Sequence, residues 1–176
     1  NNLQVSLTEQ NKLVSTDCHL DGIKEQVKCG YLTVPENYSL KDSAQISINF
    51  AVLPAIDESN NNTPLMFLAG GPGQAAVELA SGLRMAFSEI RKTRDIILVD
   101  QRGTGMSHAL ECKEISVDQN VYQIIPEDFS EQEIKDCIAE FTGDLSQYNS
   151  ENAIRDFDGV REALGHEKIN IYGGSY

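Results

Sequence analysis

The residues Gly173-Gly174-Ser175-Tyr176 follow directly on the short apolar run Ile169-Asn170-Ile171-Tyr172 and fill the first four positions of a G-x-S-x-G pattern. A serine used as a nucleophile must project its hydroxyl from a sharp strand-to-helix turn. Small residues on either side keep that turn free of clashes, and the next backbone N–H, here that of Tyr176, faces the oxyanion that forms on an attacked carbonyl. A second glycine turn, Ala69-Gly70-Gly71-Pro72-Gly73, follows another apolar run, Leu65-Met66-Phe67-Leu68. Glycine lets the backbone approach a substrate closely, and an amide donor to an oxyanion is worth about a hundredfold or more in rate. Gly70 and Gly71 are therefore candidates for the other half of an oxyanion hole. The turn does not suit a phosphate, because Gln74-Ala75-Ala76 stands where Lys-Ser/Thr is needed, and G-x-G-x-x-G is absent. A third glycine-bearing turn, Asp100-Gln101-Arg102-Gly103-Thr104-Gly105-Met106-Ser107, follows Ile96-Ile97-Leu98-Val99.

Three turns at the carboxyl ends of three strands would share one rim, which is where open α/β sheets bind ligands. The elements that must position them are legible in the periodicity. Val27 to Val34 reads as a strand ended by Pro35, and Gln45 to Leu53 alternates as a half-buried antiparallel strand does. The grammar then changes to strand, glycine turn, helix. Ala76, Ala80, Leu83, Phe87 and Ile90 recur at helical spacing, and Ile96–Val99 is uniformly apolar, as a parallel strand covered on both faces is. A later helix carries Ala153, Phe157, Val160 and Leu164 and closes at Gly165. The expected domain runs from 27 to 176, preceded by a polar, irregular extension over 1–26. Residues 108–148 read as an insertion with one helix, capped by Ser130 and Glu133 and striped by Ile134, Cys137, Ile138 and Phe141. The class is α/β, with antiparallel strands leading into a parallel sheet. The run Ile169–Tyr172 is expected to be central in the full sheet and to leave an unpaired apolar edge in this chain by itself.

Composition removes several functions. With 27 acidic against 14 basic residues, the formal net charge of −13 repels nucleic acid and anionic membrane surfaces. No apolar run approaches the roughly 20 residues needed to span a bilayer, and Asn1 to Gln10 has no signal-peptide pattern, so the start reads as mature protein or as a chain from which an export signal has been removed. Four cysteines permit three pairings. Cys18–Cys29 with Cys112–Cys137 closes two compact loops, and disulfides point to an oxidising compartment, secreted or periplasmic. The cysteine spacing is not that of a zinc site; no metal and no cofactor is expected. His19, His108 and His166 all precede Ser175, whereas a triad base follows its nucleophile in this topology, so none is assigned catalysis. Asp156 and Asp158 are expected to be solvated or capping charges, and Arg102 a structural ion-pairing residue.

G-G-P-G, then D-Q-R-G-x-G-x-S, then G-G-S-Y, in this order and at these distances, resembles the α/β-hydrolase branch of proline iminopeptidases and tripeptidyl aminopeptidases. Cys29-Gly30-Tyr31-Leu32-Thr33-Val34-Pro35-Glu36-Asn37-Tyr38 and the Cys112/Cys137 pair resemble its exported members. The resemblance implies Ser175 as acyl-forming nucleophile, with Tyr176 and the Gly70/Gly71 turn as oxyanion hole. It implies that the loop Asp100–Ser107 braces the rim. The implied substrate is a peptide with a free N-terminus, and the implied partner is the rest of the same protein, which brings the acid, the base and a cap. Ala69 departs from the His that many members carry before the two glycines. An esterase or lipase on the same scaffold would use the same residues on an ester, and a non-catalytic binding module would have kept the fold and lost the site.

Overall fold

A computed structural model describes residues 12–57, 59, 62–111 and 131–175. Six strands form one sheet in the order β1-β2-β3-β5-β4-β6: β1 Leu13–Cys18, β2 Val27–Pro35, β3 Gln45–Leu53, β4 Leu65–Leu68, β5 Ile96–Val99 and β6 Asn170–Gly173. β1 to β3 form an antiparallel meander, and β3 joins β5 antiparallel with Phe50 opposite Val99 and Leu53 opposite Ile96. β4 pairs in parallel with β5 on one side and β6 on the other. The chain leaves β4 for β5, then crosses back past β4 to β6. In open α/β sheets ligands bind outside the carboxyl ends of the strands, at such a reversal of strand order.

Period-two alternation sorts the side chains onto two faces. Leu32, Ile48, Phe50, Met66, Ile97 and Val99 pack with Val160, Phe157 and Leu164 at helix α4, Ser150–Ala163. Val27, Leu53, Leu65, Phe67, Ile96 and Leu98 pack with Ala76, Ala80, Leu83 and Phe87 on the opposite face. Every residue of β5 is buried, so its run has no polar position. Helix α4 is stopped as its sequence demands. Gly165 adopts φ +82, its N–H donates to Glu162 O and that of His166 to Arg161 O, which is the paired closure of a Schellman motif.

Two expectations change. The first 26 residues are not irregular throughout: Leu13–Cys18 adds a strand to the sheet edge, and Ile23 is buried in the core. This strand exposes Ser15, Thr16 and Asp17, so it has no apolar alternation to read. Pairing with β2 and the Cys18–Cys29 disulfide hold it in place; the bond joins Cα atoms 5.8 Å apart across 11 residues. Closing a loop of that length contributes about 3 kcal/mol on the chain-entropy account. The helix expected over 76–90 is divided into a 3₁₀ turn, Val77–Leu79, then α1, Ala80–Ala86, and α2, Ser88–Arg91. The break falls at Phe87, whose ring packs against Phe67 and Tyr172. In the 108–148 segment, α3 spans Glu131–Glu140. Cys137 is disulfide-bonded, while Ser130 of the expected cap and Cys112 of the expected second disulfide lie outside the described residues. β6 borders only β4 among the described residues and is exposed along its length.

Candidate functional site

Two parallel strands deliver the two glycine turns to the same level. Leu68 of β4 is in register with Gly173 of β6, and Gly174 N–H donates to Leu68 O at 3.1 Å. Gly70 and Ser175 each stand two residues beyond that paired position. Ser175 is exposed and has φ +61, one of only two positive-φ non-glycine residues among those described. A left-handed serine costs about 1–3 kcal/mol, and such strain is what a nucleophile elbow imposes on its serine. The crowding around this turn falls at Gly174, where a Cβ would lie 3.2 Å from the Phe67 ring, and at Gly173 it would meet nothing within 4 Å. Tyr176, the other expected oxyanion donor, lies outside the described residues.

On the β4 side, Gly70 is buried, and its carbonyl accepts from Gln74 N–H at 3.0 Å, closing the glycine turn on itself. Gly71 and Gly73 take φ +120 and +101, and the Gly71–Pro72 peptide is cis. The chain then enters the 3₁₀ turn through Ala76, which offers no side chain to cap it.

The third turn is braced from within. Asp100 is 1% exposed, and its carboxylate accepts from Val77 N–H at 2.9 Å, Asn49 Nδ2 at 2.8 Å and Met106 N–H at 3.3 Å. Ser107, fully buried, accepts Asn49 N–H on its hydroxyl at 2.8 Å. Gly105, at φ +50, touches both neighbours: a Cβ there would lie 2.6 Å from Asp100 Oδ2 and 2.6 Å from Ala75 Cβ.

Two residues on from Asp100, Arg102 is fully buried and grips Asp156 of α4 bidentately, Nε to Oδ2 at 2.7 Å and Nη2 to Oδ1 at 2.8 Å. Its Nη1 donates to the carbonyls of Glu36 and Gln147, and Tyr38 donates its hydroxyl to Asp156 Oδ1 at 2.7 Å. Burial works against the guanidinium charge, and the hydrogen bond and ion pair with Asp156 outweigh it, so Arg102 is held above its ordinary range. Burial and the Asp156 charge push the Tyr38 phenol up. Arg102 is thus the ion-pairing residue expected of it. Asp156 is not the solvated charge expected: it has no exposed surface. Its position on α4, three residues after Ala153 and four before Val160, places it on the buried stripe, a signal the periodicity carries. Asp158 is exposed and pairs with Arg161.

Nearby, the Tyr148 hydroxyl lies 2.6 Å from His108 Nδ1 and 3.2 Å from the buried carboxylate of Glu36, and burial followed by the Glu36 charge pushes the phenol up to about 12. A cavity of about 280 Å³ lined by Ile56, Arg84, Met85, Ser88 and Arg91 lies beyond Leu53, at the opposite end of the strands from Ser175. Among the described residues no cluster of His, Cys, Asp and Glu could hold a metal, and no helix is long and apolar enough to cross a membrane.

Comparison with known proteins bears on this rim. A family model described as alpha/beta hydrolase fold matches residues 63–176, from the strand before the glycine turn to the end of the serine turn. The tripeptidyl aminopeptidase of Streptomyces lividans is 26% identical, over 91% of this chain and 33% of its own length. The serine protease Hip1 of Mycobacterium tuberculosis is 26% identical, over 84% of this chain and 31% of its own. The chain spans about a third of the length of the curated relatives it matches.

Proposed function

The chain belongs to the α/β-hydrolase fold family, and from that premise we propose that the protein carrying it is a serine exopeptidase, releasing an N-terminal proline or a short N-terminal peptide through an acyl-enzyme. The observation that carries this reading is Ser175, left-handed at the end of β6 and level with the Gly70 turn. Similarity to two proteins named as peptidases supports the substrate class.

In this mechanism the Ser175 hydroxyl gives its proton to a histidine base, and Oγ bonds to the carbonyl carbon of the scissile amide. The amide hydrogens of the Gly70/Gly71 turn and of Tyr176 receive the charge that develops on the carbonyl oxygen. The C–N bond breaks, the leaving amine takes the proton, and water then hydrolyses the acyl-serine. In this fold the acid and base follow the nucleophile in sequence, so residues 1–176 alone supply the nucleophile and oxyanion donors and turn over negligibly. The substrate is a peptide with a free N-terminus; nucleic acid is disfavoured by the net charge of −13. The Cys18–Cys29 disulfide supports a secreted or periplasmic location.

The test uses the full-length protein with a fluorophosphonate probe and chromogenic amides bearing an N-terminal proline or a tripeptide. Wild type labels at Ser175 and releases the chromophore, and Ser175→Ala loses both, by several orders of magnitude in kcat. Hydrolysis of simple esters with no amide turnover would replace the peptidase reading by an esterase one. Absence of labelling in a folded protein would leave a non-catalytic module.

A further inference from the structure

The carboxylate of Asp100 makes a set of contacts that neither the nucleophile nor the oxyanion donors account for. We infer that Asp100 is a positioning residue for the oxyanion turn, acting as a cap supplied from a neighbouring strand to the backbone that leaves Gly70–Gly73.

Three observations converge on it. The 3₁₀ turn that follows the glycine turn has Ala76 at its cap position and so has no side-chain acceptor of its own. Its first N–H, that of Val77, is instead taken by Asp100 Oδ1 at 2.9 Å, across 23 residues of sequence. A side-chain oxygen on an otherwise unmet N–H is what an N-cap provides. Here the cap stands on the end of β5, so it fixes the exit of the β4 turn relative to the next strand. The second observation is the other oxygen. Oδ2 accepts from Asn49 Nδ2 and from Met106 N–H, so the carboxylate cannot swing away from Val77 without giving up donors on β3 and on its own loop. These three partners are neutral N–H donors. The third is contact. Gly105 lies against both Asp100 Oδ2 and Ala75, and Ala75 and Ala76 are buried, so the exit of the turn is wedged as well as hydrogen-bonded.

The consequence follows from the register. Gly70 stands level with Ser175, its carbonyl is closed onto Gln74, and three residues beyond Gln74 the backbone reaches the N–H that Asp100 anchors. Both ends of the turn are then fixed, one by the β4 ladder and one by Asp100. A misplacement of about 1 Å in a reacting geometry can cost on the order of a hundredfold in rate.

This inference rests on the hydrolase reading, and the experiment separates the two. The full-length protein is compared with Asp100→Asn and with the swapped double variant Asn49→Asp/Asp100→Asn, measuring kcat and KM per fluorophosphonate-titrated site together with the melting midpoint. In Asp100→Asn, the retained side-chain oxygen still meets Val77 N–H, but the new amide nitrogen faces the donors of Asn49 and Met106. The expected result is kcat lowered about 10–100-fold with KM changed less than about threefold. In the swap, the carboxylate now at position 49 accepts from the amide nitrogen now at position 100, whose amide oxygen keeps Val77. Two of the three bonds are restored, and at least about tenfold in kcat is recovered. Should Asp100→Asn fail to fold, the swapped variant decides, being expected within about tenfold of wild type. Unchanged kcat per site in folded Asp100→Asn, or a swap that melts like wild type yet recovers no rate, overturns the positioning role and leaves the hydrolase reading standing. A wild type that neither labels nor turns over sinks both.

Discussion

The corner around Asp100 and the junction around Arg102 lie two residues apart on one loop, and they accommodate buried charge by opposite means. At the junction a guanidinium and a carboxylate with no exposed surface neutralise each other, and the remaining donors go to the carbonyls of Glu36 and Gln147. At the corner a buried carboxylate is met by amide hydrogens. The junction fastens three distant pieces of chain, the end of β2, the segment before α4 and α4 itself, to the loop that follows β5. The corner fastens single N–H groups, so it governs the shape of a turn. If the inference drawn for Asp100 holds, stability and the geometry of the glycine turn depend on neighbouring but separable groups.

Removing the Arg102 charge breaks the contrast most severely. Arg102→Met leaves Asp156 buried without its counter-ion and should cost about 3–5 kcal/mol, a fall of roughly 10 °C in the melting midpoint for a chain of this size. Replacing both partners, as Arg102→Met/Asp156→Leu, should recover most of that loss, since an apolar pair does not strand a charge. If the single and double variants melt together, charge is not what the junction contributes. Gly105→Ala sharpens the other side. It forces a left-handed alanine into Asp100 and Ala75, at about 2 kcal/mol, and should slow fluorophosphonate labelling of Ser175 per folded molecule in the full-length protein. Arg102→Met should leave that rate within about threefold.

Tyr38→Phe is a milder probe of the junction. It deletes one donor to Asp156 and keeps the bidentate pair, so the expected loss in a denaturant titration is about 1 kcal/mol. The smallest effect lies at a third, more exposed charge. Glu25 pairs with Arg84 and with Arg91, the latter at 2.6 Å. The hydrogen bond from Arg84, working against burial and aided by Arg91, lowers its pKa from 4.5 to about 2. A depressed folded-state pKa contributes stability that is present above the unfolded value of 4.5 and is lost as the pH falls from there toward 2. Glu25→Gln should therefore flatten the acid limb of a stability-versus-pH curve and leave the shape of its neutral region nearly unchanged.

The strands that carry the site are legible because each is short, apolar and bounded by turn residues: β3, β4 and β5 run over the residues their patterns mark. The turns are legible from glycine spacing, whereas the register that brings Ser175 level with Gly70 is seen only in the pairing of β4 with β6. What escapes such a reading depends on partners far away in sequence. Leu13–Cys18 is a strand only because β2 and Cys29 hold it. The helix after the glycine turn breaks where Phe87 meets Phe67 and Tyr172. Asp156 departs from expectation because an aspartate on a helix is solvated by default, and its burial is met by Arg102, 54 residues away, and by the Tyr38 hydroxyl. The role of Asp100 toward Val77 cannot be read from either residue alone, since neither the bare Ala76 cap nor the strand-end aspartate names the other.

The outward side of β6 has a physical outcome of its own. Ile171 and Tyr172 are 63% and 52% exposed on a strand whose second edge meets no neighbour among the described residues. Bare ladder groups flanked by apolar side chains are a template for another chain. The 176-residue polypeptide in isolation should therefore scatter light increasingly with concentration, and Ile171→Lys should raise its solubility limit while leaving the internal packing of the sheet untouched.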